Sequence, residues 1–568
     1  PLQLSFRFQT MKQGGANLRS PLLAGGSSQQ TRVLPPAGAR TSSYAPPPSA
    51  VVTNASQIHA RLQLNKTISK QADESKVPWL PTRDDLRQFW FEYGVAALIA
   101  AVWIAVNLFL AAWAAYVYWN NPNFYVTIAR VFGGILNFNC ALILVPVLRN
   151  FLTWIRKSAF HRFIPFDLNL NFHRLIAIVI AIAGGIHGWA HYMNYHEVGG
   201  VWELGWTTLP GVTGHLLLLI MLVMYTSSWH RMKRKYYNLF YYSHHLFIIW
   251  FFLLLAHGPR FWKWFAVPAV MYIAERIVRE YRTDEKCRVL AVRTHPSDVI
   301  EIHMTKAKFM YKPGQYLYLC CPYVSSFEYH PFTITTNPEE SHVSVHIRCV
   351  GPWTRAVRNI LAPNNVDGEQ VSIDSIAGPD GKRPLLYMDG PFGAASEEVF
   401  DFEVVMLVGA GIGVTPFASI LKSINHKFQV KSFFTLQKVY FFWICRDYTA
   451  FEWFRSLLRE LELSFQQRDI NFLEINIFLT GELPPEQMMM AMAQGPNQLD
   501  PITQLSAATN YGRPDWESIF SEVKEQHSNK EIGLFFCGPP PLGKKLRNTC
   551  TKYSRLSTTR FKFFKENF

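Results

Sequence analysis

The sequence predicts a membrane protein in two halves: a six-span helical bundle, then a small β-barrel and a doubly wound parallel α/β sheet. Three observations predict it. Six apolar segments of nearly spanning length follow one another. Short alternating runs begin after Arg282. Strand–helix alternation takes over from about residue 400. Composition agrees: hydrophobic residues are 49% of 568 and charged residues 17%, against about 25% in an average soluble protein. The deficit lies in the first half of the chain. A wholly soluble or disordered chain is excluded. So is a secreted disulfide scaffold, since eight cysteines are too few for 568 residues.

Residues 1–85 read as a disordered basic segment, rich in Gly, Pro, Ser and Gln. It holds no apolar core with a small-residue cleavage site, so no signal peptide is expected. Asn54-Ala55-Ser56 and Asn65-Lys66-Thr67 match the glycosylation sequon, but the topology below leaves them in the cytosol, unmodified. The spans are expected near 94–118, 127–148, 174–194, 211–228, 239–257 and 262–279, making 86–282 a membrane domain. Basic residues orient it. Arg149, Arg156, Lys157, Arg162 and Arg174 join spans two and three, and Arg231, Lys233, Arg234 and Lys235 join four and five. The turn near 119–126 has no basic residue, and the loop near 195–210 offers Glu197 and Glu203. Basic linkers belong in the cytosol, and six spans then leave both termini there. The net charge of +15 fits contact with a lipid membrane, with no nucleic acid as partner.

Beyond the spans, Arg288–Val292, Tyr316–Leu319 and Val343–Ile347 read as strands of a barrel spanning 283–398. In 399–568, Val404–Val408 precedes a glycine loop and a helix over Phe417–Ile424. Val439–Ile444 precedes Ala450–Leu463, and Ile475–Leu479 and Ile532–Cys537 are further strands. No cysteine falls in a predicted outer loop, so reduced thiols are expected. Cys320-Cys321 are adjacent and no C-x-x-C occurs, so the cysteines do not read as metal ligands. No EF-hand loop is present either.

Ionisable residues inside spans are functional candidates. Span three holds His173, His187 and His191, and span five holds His244, His245 and His257. His173 and His187 share a face about 21 Å apart. Imidazoles at two levels, facing two more on another helix, would ligate two stacked hemes. His244 and His257 are about 140° out of phase on an ideal helix, and His245 leaves about 120°. A bulge or strong tilt must correct either, so periodicity does not choose between them.

The stretches Asn171-Phe172-His173 through His191, Tyr242-Ser243-His244-His245-Leu246-Phe247 through His257-Gly258, and Leu136-Asn137-Phe138-Asn139-Cys140 resemble the catalytic chains of NADPH oxidases, the phagocyte type in particular. The resemblance covers about 88–568. It implies two heme b groups: a cytosol-proximal one held by His173 and His244, and a distal one held by His187 and His257. With both axial positions filled, oxygen is expected to react without binding iron. The resemblance also implies an oxygen-reducing pocket lined by Arg130 and His191. A buried cation there would stabilise a developing superoxide anion. The plainer alternative is that Arg130 snorkels to the headgroups.

The second half carries further motifs. Tyr329-His330-Pro331-Phe332-Thr333 resembles the flavin-binding strand of the ferredoxin-reductase-like fold. Ile347-Arg348, with Thr354 after the turn, resembles its pyrophosphate-binding partner. The family places a terminal aromatic, here Phe568, on the flavin. Gly409, Gly411 and Gly413, followed by Thr415-Pro416, form a glycine loop between a strand and a helix, where phosphate binds. The loop departs from G-x-G-x-x-G, since Val414 takes the last place. It resembles the nicotinamide loop of the reductases instead, preceded by Gly390-Pro391. Cys445, Arg446, Arg513 and Cys537-Gly538 complete the implied NADPH site. Two guanidiniums at strand ends favour the 2′-phosphate of NADPH over NADH. Either arginine taken singly also reads as a surface ion pair.

The implied activity is electron transfer from cytosolic NADPH through FAD and two hemes to molecular oxygen, giving superoxide. The alternative is a ferric or cupric reductase on the same chain of cofactors, and a proton channel with an inactive tail is a more distant one. The resemblance also implies cytosolic regulators or a small GTPase, together with a small membrane subunit. The host is the plasma membrane or an internal membrane.

Overall fold

The computed structural model describes residues 83–156, 158, 168–284, 287–363, 370–372, 384–432, 435–466, 471–492, 499–555 and 557–566. Nearly all of the predicted head, Lys157, Arg162 and Phe568 lie outside these.

Among the described residues, five helices are long and apolar enough to cross a membrane: Tyr93–Val117, Phe124–Val147, Asn169–Glu197, Leu209–Ser228 and Tyr237–His257. Their outer faces leave large apolar side chains bare, among them Leu108, Phe109, Trp113, Ile182, Leu222 and Phe252. Such a continuous apolar surface suits lipid and not water. The predicted sixth span is a helix, Trp262–Asp284, but it is not apolar enough to be counted with the five. Its lower half carries Glu275, Arg276, Arg279, Glu280 and Arg282, and Arg279 turns to the second half of the chain.

Inside the bundle, Asn139 is fully buried and ties spans one and two. It accepts from Trp103 Nε1 at 2.9 Å and donates to Asn107 at 2.6 Å. Buried amides need such partners. Span two ends in a short 3-10 turn at Pro146, where proline cannot continue the helix. A short helix, Arg149–Arg156, then leads away.

The barrel has strands β1 (Cys287–His295), β2 (Val299–Thr305), β3 (Tyr316–Cys320), β4 (His330–Thr333), β5 (Val343–Arg348), β6 (Gln370–Ser372) and β7 (Leu385–Phe392). They are ordered β4-β3-β7-β1-β2-β5, with β6 on β1, and all pairs are antiparallel. The next sheet has β8 (Val404–Ala410), β9 (Lys438–Cys445), β10 (Leu473–Leu479), β11 (Thr509–Tyr511), β12 (Glu531–Cys537) and β13 (Arg560–Lys565). Its order is β11-β10-β9-β8-β12-β13, all parallel. Two apolar layers cover its faces, one around Phe417, Trp443 and Ile477, the other around Phe442, Trp516 and Leu546. Hence the unbroken apolar runs in β8 and β9: strands buried on both faces do not alternate.

Basic residues of the membrane half join it to the barrel. Arg149 stacks on Tyr318 at 4.1 Å. Arg156 donates to the Ala394 carbonyl at 2.8 Å and lies 3.6 Å from Glu398. Arg279 lies 3.9 Å from the Tyr329 ring centre and 3.5 Å from Asp389. Tyr241 donates to the Phe327 carbonyl at 2.6 Å. By contrast, Lys233 and Lys235 lie over aromatic rings of their own segment, Phe240 and Tyr236.

Candidate active site

Span five is broken where its histidines demand it. The helix Tyr237–His244 stops, and Phe247–His257 resumes. Between them, backbone bonds from His245, Leu246 and Ile248 reach back only three residues, to Tyr242, Ser243 and His245. Such 3-10 turns add about 20° of rotation per residue. The three turns recover about 60° of the roughly 140° mismatch, and across the break His244 faces His173 with ring centres 6.5 Å apart and planes at 69°. His257 faces His187 at 6.2 Å and 71°. His245 is exposed and its Nδ1 bonds to the Tyr241 carbonyl at 2.7 Å, which removes it from the pair.

These dimensions fit an iron between each pair. A nitrogen bound to a metal at about 2.0 Å puts its ring centre roughly 3 Å from it, so opposed imidazoles stand roughly 6 Å apart. Protonation fits as well. Nδ1 of His173 donates to the Ile143 carbonyl at 3.0 Å, and Nδ1 of His187 to the Ala129 carbonyl at 2.8 Å. Nδ1 of His257 lies 3.0 Å from Thr213 Oγ1, whose own hydroxyl donates to the Leu209 carbonyl at 2.6 Å. With its proton on Nδ1, each ring keeps a lone pair on Nε2 for a metal. Of the four rings, only that of His244 has a buried Nδ1 with no partner among the described residues. Gly133 and Gly214 flank the outer pair. A Cβ there would stand 3.5 Å from His187 and 3.3 Å from His257.

His191 follows one turn beyond His187, with ring centres 4.6 Å apart. Arg130 follows Ala129, whose carbonyl holds His187. Arg130 is exposed, not the buried cation expected from the sequence, and its guanidinium lies 5.3 Å from the Tyr118 ring centre. Sequence patterning missed Thr213, Gly133 and Gly214. A lone threonine and glycines inside apolar helices were the available signal.

In the barrel, β4 carries His330, Pro331, Phe332 and Thr333 alongside β3. His330 lies against Trp353 with ring centres 4.3 Å apart, and Phe332 stacks on Trp353 at 6.0 Å. Trp353 Nε1 is buried without a partner among the described residues, a donor suited to a ligand in this crevice. Arg348 is exposed at the end of β5, beside the N-terminus of the helix Pro352–Leu361. That pairing of cation and helix end suits a pyrophosphate. Thr354 Oγ1 accepts from Gly351 N at 3.0 Å and caps this helix. Ile347 is buried in the barrel core and pairs with Ile300 on β2.

The glycine loop lies at the carboxyl end of β8, where neighbouring strands β9 and β12 run off to either side. Crevices at such switch points bind nucleotides. Gly411 has φ +56, and a Cβ on Gly413 would overlap the Cys537 carbonyl. Only glycine lets these two strand ends touch. Thr415 and Pro416 then open the helix Thr415–Gln429. Gly538, with φ +159, follows β12, and Gly390-Pro391 lies at the end of β7 near Leu317. Burial pushes the thiols of Cys445 and Cys537 up, so both stay protonated. Arg446 directly follows β9 and Arg513 follows β11; both are exposed, and among the described residues neither forms an ion pair. No disulfide joins any of the eight cysteines, and all are buried.

Family models match in three consecutive parts: ferric reductase like transmembrane component over 132–255, FAD-binding domain over 285–396, and ferric reductase NAD binding domain over 402–551. The chain is 41% identical over 522 residues to a superoxide-generating NADPH oxidase heavy chain of Dictyostelium discoideum, covering 86% of this chain and 100% of that one. It is 35% identical over 569 residues to NADPH oxidase 3 of Homo sapiens, covering 84% and 98%. Among solved structures, a flavohemoglobin from Malassezia yamatoensis matches 80% of this chain and 98% of its own at 16% identity, with a TM-score of 0.34.

Proposed function

This chain belongs to the NADPH oxidase family, and from that premise we propose how its residues carry electrons from NADPH to oxygen. It is a membrane oxidoreductase that generates superoxide. The observation that carries the finer reading is the pair of opposed imidazoles at each of two depths. His173 and His244 would hold the inner heme b, and His187 and His257 the outer. Bound there, the hemes would supply one-electron carriers that divide an apolar core of about 30 Å. The carbonyls of Ile143 and Ala129 and the Thr213 hydroxyl hold three of the four rings in the ligating tautomer.

Tyr329, His330, Pro331, Phe332 and Thr333 would flank the flavin of FAD, with Phe568 stacked on it. Arg348 would neutralise its pyrophosphate beside the Pro352–Leu361 helix end, with Thr354 and the Ile347 backbone shaping that turn. FAD would supply the change from a two-electron donor to one-electron acceptors. Gly409, Gly411, Gly413, Thr415 and Pro416 would bind NADPH phosphates through backbone N–H groups. Gly390, Pro391, Cys445, Cys537 and Gly538 would line the nicotinamide crevice, and Arg446 and Arg513 would grip the 2′-phosphate. On the far side, Arg130 and His191 would stabilise negative charge as oxygen is reduced.

The domains run 86–282, 283–398 and 399–568. Arg149 and Arg156 lie on the side of the barrel, and basic linkers belong in the cytosol. The tail is therefore cytosolic, with the upper part of Trp262–Asp284 completing a sixth crossing and both termini inside. The host is the plasma membrane or an internal membrane, and a small membrane subunit with cytosolic regulators or a GTPase would control the enzyme. Purified full-length protein tests this. It should give a two-heme b-type spectrum and NADPH-driven dye reduction that superoxide dismutase abolishes, stimulated by cytosolic extract. Dye reduction insensitive to the dismutase would argue for a metal chelate as acceptor.

A further inference from the structure

A cluster of histidines lies in the barrel, away from the membrane pairs and on the same strand as Ile347 and Arg348. Glu301 on β2 stands directly across from His346 on β5, and His295 lies diagonally from it on β1. His295 and His346 are more than nine-tenths buried. The ligating atoms of all three residues fall within 4.8 Å of one another. His295 Nε2 is 3.3 Å from Glu301 Oε2, and His346 Nε2 is 3.8 Å from the same oxygen.

The second distance is too long for a hydrogen bond, and His346 Nε2 has no other partner among the described residues. Two ligands each about 2.0 Å from one metal stand roughly 3 to 4 Å apart, which matches both separations. Outer partners hold two of the three groups, while His295 Nδ1 is buried with none among the described residues. Thr335 Oγ1 lies 3.0 Å from His346 Nδ1, leaving Nε2 to face the carboxylate. His303 Nε2 sits 2.9 Å from Glu301 Oε1, the oxygen turned away from the other two. Metal-binding carboxylates and imidazoles characteristically have such second partners. Phe454, from the nucleotide-binding domain, closes the cluster with its ring centre 4.6 Å from that of His346.

We propose that His295, Glu301 and His346 bind a divalent transition cation of the zinc class. Two imidazoles and one carboxylate are a donor set zinc takes readily, with water completing four. The cation would be structural. It ties three adjacent strands where the barrel meets the second domain, two residues before Arg348.

Full-length protein, freed of any affinity tag and treated with EDTA, is exposed to a slight excess of ZnCl2, desalted and analysed by mass spectrometry for metals. Wild type should retain one zinc per chain, and Glu301→Gln and His346→Ala should each lose it while keeping heme and flavin absorbance. His303→Gln should keep it. Retention of no zinc by wild type, or equal retention by Glu301→Gln, would overturn the proposal. Should those variants fail to fold, zinc-edge X-ray absorption of wild type decides. Two imidazoles and one carboxylate support the site, and a shell without imidazole contradicts it.

Discussion

Thr213 Oγ1 and His257 Nδ1 lie 3.0 Å apart, bridging spans four and five beside the outer histidine pair. Because the threonine hydroxyl donates to Leu209, its oxygen accepts a hydrogen bond from His257 Nδ1–H, which leaves Nε2 with the lone pair. Thr213→Val keeps the shape and removes the acceptor. Loss of an outer partner to a metal-bound histidine costs about 10- to 100-fold in metal affinity or activity. Superoxide output should fall within that range, with the outer heme's midpoint potential or occupancy altered in a spectroelectrochemical titration and the inner heme unchanged. An unaltered titration would remove Thr213 from the site.

Gly413→Ala drives a methyl group into the Cys537 carbonyl. The two strand ends must part, at a cost of about 1–3 kcal/mol. The KM for NADPH should rise roughly tenfold or more, while FAD content stays normal. A normal KM would mean that the loop does not form the nicotinamide crevice.

Arg446→Ala tests cofactor choice. A hydrogen bond to a charged group contributes about 1.5–3 kcal/mol, so the KM for NADPH should rise roughly 10- to 100-fold and that for NADH far less. Equal rises for both would remove the 2′-phosphate role.

Arg279→Leu tests the joint between the halves. It removes the guanidinium from Tyr329 and leaves buried Asp389 without its nearest cation. Superoxide formation should fall severalfold, while NADPH-driven reduction of an artificial acceptor at the flavin continues. Parallel loss of both activities would place Arg279 in the folding of the barrel alone.

Much of this was legible in sequence because the strongest signals are long or local. Apolar runs gave the first five spans, and the all-apolar stretches of β8 and β9 gave a buried parallel sheet. The signal is weaker at Trp262–Asp284, where apolar residues and the charged seam with the barrel share one helix. Histidine spacing in span three was readable because that helix is continuous. In span five it was not, because the helix breaks at His245 and Leu246 and its phase shifts there, and only the family resemblance favoured His244. The cluster of His295, Glu301 and His346 was invisible to linear spacing, since cross-strand pairing assembles it. Arg279 and Thr213 act through tertiary partners and carry no local motif.

The most direct test of the two histidine pairs is a heme count by pyridine hemochrome on purified wild-type, His244→Leu and His245→Leu proteins, normalised to chain. Two hemes are expected in wild type and in His245→Leu, and fewer than two in His244→Leu, with the NADPH-reducible flavin retained in all three. A full complement of two in His244→Leu, or its loss in His245→Leu, would contradict the assignment.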